Sequence, residues 1–164
     1  MGVGKHRAAA ISALATGVIV LVAWGHSMGQ EPDEIRAARD QLRGEWVATR
    51  IRAGEDRLAE GPAVSSCRVE FDGKAVAFRG MIEGVDARGA FLIDPASRPR
   101  RIDLKMDRGW VVGIYELEGD TLTLCITPIA LPERLGVPGR DRPARIRPAE
   151  GHHIYEFRRA GPGG

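Results

Sequence analysis

The sequence predicts an all-β domain, an eight-stranded antiparallel meander closed into a barrel, with one short helix before it. Three observations carry this. From Trp46 onward, apolar and polar residues alternate with period two in short runs. Turn residues such as Asp72-Gly73 and Glu118-Gly119-Asp120 separate those runs. Only one stretch, Glu31 to Leu42, repeats apolar residues at helical spacing. A meander of this kind loses its exposed edges by closing on itself.

The elements follow in order. Ile35, Ala38 and Leu42 line one face of the helix, with Asp33 and Glu34 in its first turn and Pro32 just ahead. The first strand runs from Trp46 to Arg52, and Ala53 to Ser66 reads as a loop. Cys67 to Phe71 is the second strand. Asp72-Gly73 then suits a two-residue hairpin, because both residue types tolerate positive φ. Further strands are expected over Ala75 to Arg79, Gly89 to Ile93, Arg101 to Met106, Trp110 to Leu117 and Thr121 to Ile126. Thr127 to Glu150 holds five prolines, which cannot donate to a ladder, so it reads as a long loop. His153 to Arg158 is the last strand, and Ala160 to Gly164 a tail. Parity points Val69, Phe71, Tyr115, Leu117, Leu122 and Leu124 inward.

The N-terminus is expected to be an export signal. Lys5 and Arg7 precede an uncharged stretch, Ala8 to Gly25, and small residues follow at Ser27-Met28-Gly29. Cleavage is expected after Gly29; the alternative is an uncleaved membrane anchor over residues 8–25. The domain plan is therefore 1–29 signal or anchor, 30–43 helix, 44–159 barrel and 160–164 tail. The protein is expected in the periplasm or outside the cell, tethered to the inner membrane only if the segment stays.

The whole 164-residue chain carries a formal net charge of +2. Removing residues 1–29 takes away two basic residues and no acid, so the mature chain is neutral. The slight basic balance therefore belongs to the export signal and is no evidence for nucleic-acid binding, so no nucleic-acid partner is expected. Cys67 shares parity with Val69 and Phe71, whereas Cys125 opposes Leu124 and Ile126, which argues against a disulfide between them.

Chemistry finds little support. His152 and His153 are adjacent, so on a strand they point to opposite faces and cannot ligate one metal without a bulge. No Gly-x-Ser-x-Gly elbow accompanies Ser65, Ser66 or Ser97. Glu116, Glu118 and Asp120 gather at a hairpin tip, where carboxylates are solvated. No phosphate-cradling loop is present. The expectation is a non-enzyme with no catalytic residue, metal or cofactor; a cryptic hydrolase or isomerase is the remote alternative. The most suggestive feature is the run of arginines from Arg134 to Arg147. Folded over a barrel mouth, Arg142, Arg145 and Arg147 would clamp an anionic group.

Five motifs carry a family resemblance: Leu42-Arg43-Gly44-Glu45-Trp46, Val69-Glu70-Phe71-Asp72-Gly73, Ile102-Asp103-Leu104, the hairpin Gly113 to Cys125, and Gly151-His152. Together they resemble an uncharacterised exported domain family abundant in planctomycete bacteria, itself similar to lipocalin-like barrels. The resemblance covers about Asp40 to Arg159. It implies that Trp46 plugs one end of the barrel and that Gly44 lets the helix-to-strand turn approach it. It also implies a structural role for Asp72, Gly73, Gly119 and Asp120. The Arg- and Pro-rich segment and the double histidine depart from the pattern. The resemblance brings a fold and a location but no activity. From the barrel and the arginines, the expected function is holding a small apolar or anionic ligand, with Tyr115, Phe71, Arg142, Arg145 and Arg147 as its contacts. The alternative is a structural or protein-interaction module with a packed barrel.

Overall fold

A computed structural model of the chain describes residues 31–80, 86–107, 109–127 and 142–161. The expected signal or anchor and its cleavage point lie outside those residues, as do Arg134 and Arg140. The described residues form one helix, α1 (Asp33–Leu42), and nine strands. The strands are β1 (Gly44–Ala53), β2 (Arg57–Glu60), β3 (Arg68–Asp72), β4 (Ala75–Arg79), β5 (Ala87–Asp94), β6 (Arg101–Met106), β7 (Gly109–Glu118), β8 (Thr121–Ile126) and β9 (His153–Arg159). Among the described residues no helix is long and apolar enough to cross a membrane.

All pairings are antiparallel. From β3 to β9 each strand pairs with the next, and β1 pairs with both β3 and β9. Eight strands thus close a barrel, as the alternation predicts. The loop expected over Ala53 to Ser66 needs correcting. It contains β2, which pairs only with the second half of β1, followed by a 3-10 turn at Gly61–Ala63. All four residues of β2 are exposed, so no apolar alternation marks it in the sequence.

β1 bends to serve three neighbours, β2, β3 and β9. Its register against β9 slips between Ala48 and Arg50. The extra residue, Thr49, turns outward, and its hydroxyl donates to the Glu156 carbonyl (3.1 Å). The bulge resets the inward series from Trp46 and Ala48 to Ile51.

Helix α1 covers one end of the barrel. Leu42 is fully buried, and Ile35 and Ala38 pack against the core. Trp46 is also fully buried, and its indole N–H donates to the Leu42 carbonyl at 2.8 Å. Arg159, the last residue of β9, lies over the Trp46 ring with its guanidinium carbon 4.1 Å from the centroid. It donates to the Gln41 and Arg43 carbonyls, both at 2.7 Å, and to Asp120 at 3.2 Å. One side chain thereby satisfies carbonyls left over at the helix C-terminus and ties them to the β7–β8 hairpin. Gly44 has a φ of +117°, so a side chain there would strain the turn that brings α1 onto Trp46.

The interior is filled by side chains. Phe71, Phe91, Tyr115, Tyr155 and Phe157 are each 1% exposed. Phe71 and Phe91 meet edge to face at 4.9 Å, and Tyr155 stacks on Phe157 at 5.8 Å. Leu122 and Leu124 complete the layer opposite Leu117 and Tyr115.

Candidate functional site

The described part of the Arg- and Pro-rich segment, residues 142–150, forms a strap. It lies along the outer face of the barrel, not over a mouth. Its prolines keep it out of the ladder, so its side chains hold it. Arg142 does most of this. Its guanidinium forms an ion pair with Asp103 on β6 (2.6 Å) and donates to the carbonyls of Gly113 (2.7 Å) and Ile102 (3.3 Å). Arg142 was expected to hold a ligand; its donors are instead engaged by the barrel wall.

Three residues further along, Ile146 packs on a second, small core. Ile114, Cys125 and Ile154 point outward from β7, β8 and β9 in one row and are buried there. Arg145 and Arg147, on either side of Ile146, are exposed. The strap therefore buries Pro143, half-buries Ile146 against the small outer core, and presents two arginines. Of the three arginines predicted to act together, the structure separates Arg142 from the other two.

The two cysteines are free and buried. Cys67 faces the main core and donates its thiol to the Gly80 carbonyl. Cys125 lies under the strap with its sulfur 3.9 Å from the Arg145 carbonyl. Burial pushes the Cys125 thiol up to about 11, against a smaller opposing pull from the Arg147 backbone. The fold therefore favours the neutral thiol. That contribution is whole below the ordinary thiol value of 9.0 and is lost as pH climbs through about 11. Cys125 is expected to resist maleimide labelling at pH 8 in the native chain, because the reactive form is the thiolate. Arg142→Gln is expected to loosen the strap and speed that labelling at least about tenfold, from the loss of a charge-assisted bond. A Cys67→Ala background isolates the signal. Labelling equally slow in both proteins would show that Arg142 does not hold the strap.

Two clefts stand out among the described residues, and both lie outside the barrel. The larger, of about 450 Å³, sits where β1 leaves β3, lined by Val47, Thr49, Ser65, Arg68, Arg158 and Gly161 among others. The smaller, of about 260 Å³, lies beside the strap and is lined by Arg50, Arg52, Ile146, Pro148, Ile154 and Glu156. Arg50 is held there by Glu60 at 2.6 Å and Glu156 at 3.2 Å. Those acids hold its pKa above the usual arginine value, the hydrogen bond that Arg50 donates to Glu60 contributing most. Arg52 is half-buried, and its side chain makes no hydrogen bond or ion pair with any described residue.

The remaining predicted residues are dispersed. Phe71 and Tyr115 are interior. The Tyr115 hydroxyl is buried with no hydrogen-bond partner among the described residues. Burial pushes its pKa up, with Arg100 opposing and Asp94 adding to the rise. Gly73 and Gly119 take positive φ in their hairpin turns. Asp72 pairs with Arg43 and Asp120 with Arg159, so both tie hairpins to the helix end. Glu116 and Glu118 are solvated on the outer face. The two histidines diverge: His153 faces inward beside Tyr155 (hydroxyl to Nδ1, 3.4 Å), while His152 precedes the strand. No group of three or more His, Cys, Asp or Glu among the described residues is placed to hold a metal.

Three residues of consequence were not picked out from the sequence. Arg159 had a signal: it continues the inward parity of Tyr155 and Phe157. Asp103 stood in the motif Ile102-Asp103-Leu104 but with no role assigned, and Arg52 had no signal, because their surroundings come from strands and a strap distant in the chain. No family model, no curated protein and no solved structure matches the chain.

Proposed function

We propose that this chain is an extracytoplasmic lipocalin-like module that performs no reaction and meets other molecules through the outer surface of its barrel. The carrying observation is where the space lies. The interior is occupied by five aromatic rings at 1% exposure and by Trp46 at 0%, whereas both clefts are external. The functional pockets of ligand carriers are concave cavities of about 300–1,000 Å³ that enclose the ligand. The family reading rests on the motifs around Gly44-Glu45-Trp46 and the β7–β8 hairpin. Export rests on the N-terminal pattern of charge followed by apolar residues.

A second reading has one observation in its favour. The Tyr115 hydroxyl, without a partner among the described residues, is the kind of group that a small interior ligand with an acceptor atom would satisfy. Native mass spectrometry of the chain purified from its own cell envelope, beside a Tyr115→Phe variant, separates the two. The expected result is a bare chain beginning at Gln30, with the variant at least as stable as the parent because an unsatisfied buried group is gone. A stoichiometric companion molecule that the variant fails to retain would replace the outer-surface reading by the interior one. A mass that includes residues 1–29 would overturn cleavage.

A further inference from the structure

We infer that the groove between the strap and the outer face of β1 and β9 binds a small amphipathic carboxylate, with Arg52 as its anchor. This deepens the outer-surface reading and rests on it. The groove offers two chemistries side by side. Ile146, Pro148 and Ile154 form an apolar wall. Arg52 lines the same space, half-buried and with no partner among the described residues. A guanidinium has five donors in a fixed fork, matched to the two oxygens of a carboxylate. Withdrawing it partly from water without an anion is costly, and a bound carboxylate would remove that cost.

The neighbouring acids do not serve Arg52. Glu60 and Glu156 both engage Arg50, one step along the outer row. Across the sheet Arg52 stands between Leu58 on β2 and Ile154 on β9. Leu58 is 48% exposed, so the apolar surface continues past the guanidinium on its other side. The exposed Arg145 and Arg147 of the strap add positive potential around the groove, which favours an anion over a cation.

Size and polarity narrow the class. A volume of about 260 Å³ suits a single-ring or short-chain acid and not a long-chain lipid. An inorganic anion would use Arg52 but leave the wall of Ile146, Pro148 and Ile154 unfilled. An acid with an apolar body uses both.

The test is a residue-resolved NMR titration of the 15N-labelled mature chain with benzoate, hexanoate and acetate. Shifts are expected around Arg52, Ile146 and Ile154, with benzoate and hexanoate binding more tightly than acetate. Arg52→Gln is expected to weaken benzoate about tenfold to a hundredfold, the range for hydrogen bonds to a charged group. Arg52→Lys keeps the charge without the fork and should fall between. Arg158→Gln, on the outer face of the same strand β9, should bind as the parent does. Each variant's free spectrum reports whether it is folded. Parent-like affinity in Arg52→Gln, or equal binding of all three acids, would overturn the assignment. So would the absence of binding at the groove, while leaving the outer-surface reading intact. Shifts centred on Tyr115 and Phe71 would overturn both.

Discussion

Trp46→Ala is expected to lower the stability of the barrel by about 3–5 kcal/mol, the range for removing a large buried aromatic side chain. The reason is the number of elements that meet on this ring. It is 0% exposed. Its N–H ties it to the last carbonyl of α1, and Arg159 covers its face. Truncation leaves a cavity under the helix, and Arg159 loses the surface it lies on. The helix depends on this end, since an isolated helix of ten residues is marginal in water. Urea unfolding of the mature chain reads the effect. Trp46→Phe separates its parts: it keeps most of the packing and removes the bond to Leu42, so it should cost about 1–2 kcal/mol through one unmet carbonyl. A loss below about 1 kcal/mol for Trp46→Ala would mean that the covered end is not part of the cooperative core.

Gly89→Ala is expected to cost about 3 kcal/mol, the upper end of the usual range for overpacking, although it adds one methyl group. Gly89 stands on β5 opposite Met106, with the inward parity of Phe91 and Ile93. A methyl there would approach the Lys105 carbonyl oxygen to 2.1 Å and the Met106 sulfur to 3.0 Å. The first obstacle is backbone and cannot rotate away. Relief requires β5 and β6 to separate at this end, at the expense of their ladder. Gly119→Ala makes the contrast. A methyl at Gly119 meets nothing within 4 Å, and its φ of +55° is the main obstacle, worth about 1–2 kcal/mol. If the two variants lost equal stability, the close approach of β5 to β6 would not be what requires glycine at position 89.

The two substitutions differ in how far the sequence announces them. Trp46 is apolar, large and placed directly after a helix stop, so its burial can be anticipated from the chain alone. Gly89 looks like any glycine in a strand. Only the coiling of β5 against β6 makes its missing side chain a requirement.

The same division runs through the candidate site. The alternation of Ile154 and Glu156 against Tyr155 and Phe157 places the former pair outside, and the structure has them there. An apolar residue on an outward position signals a cover, but nothing in the chain says what covers it. The cover is Ile146, eight residues before Ile154 and on a segment with no periodicity of its own. The arginines of that segment look alike in sequence. Arg142 is 14% exposed in an ion pair, while Arg145 and Arg147 face solvent on either side of Ile146, which turns toward the barrel wall.

The sequence by itself determined the period-two strands, the tight turns, the single short helix and the sidedness of both cysteines. These follow from local geometry: alternation along a strand, the φ demands of a two-residue turn and the spacing of a helix face. Only the tertiary structure decided that β1 bulges to serve three strands and that Arg159 finishes the helix end. It also decided that Arg142 is spent on the barrel wall and that Arg52 stands beside an apolar groove with no partner among the described residues. These depend on which distant residues closure brings together. Pairing partners in a barrel are set by strand register around the whole ring, and no local pattern carries that information.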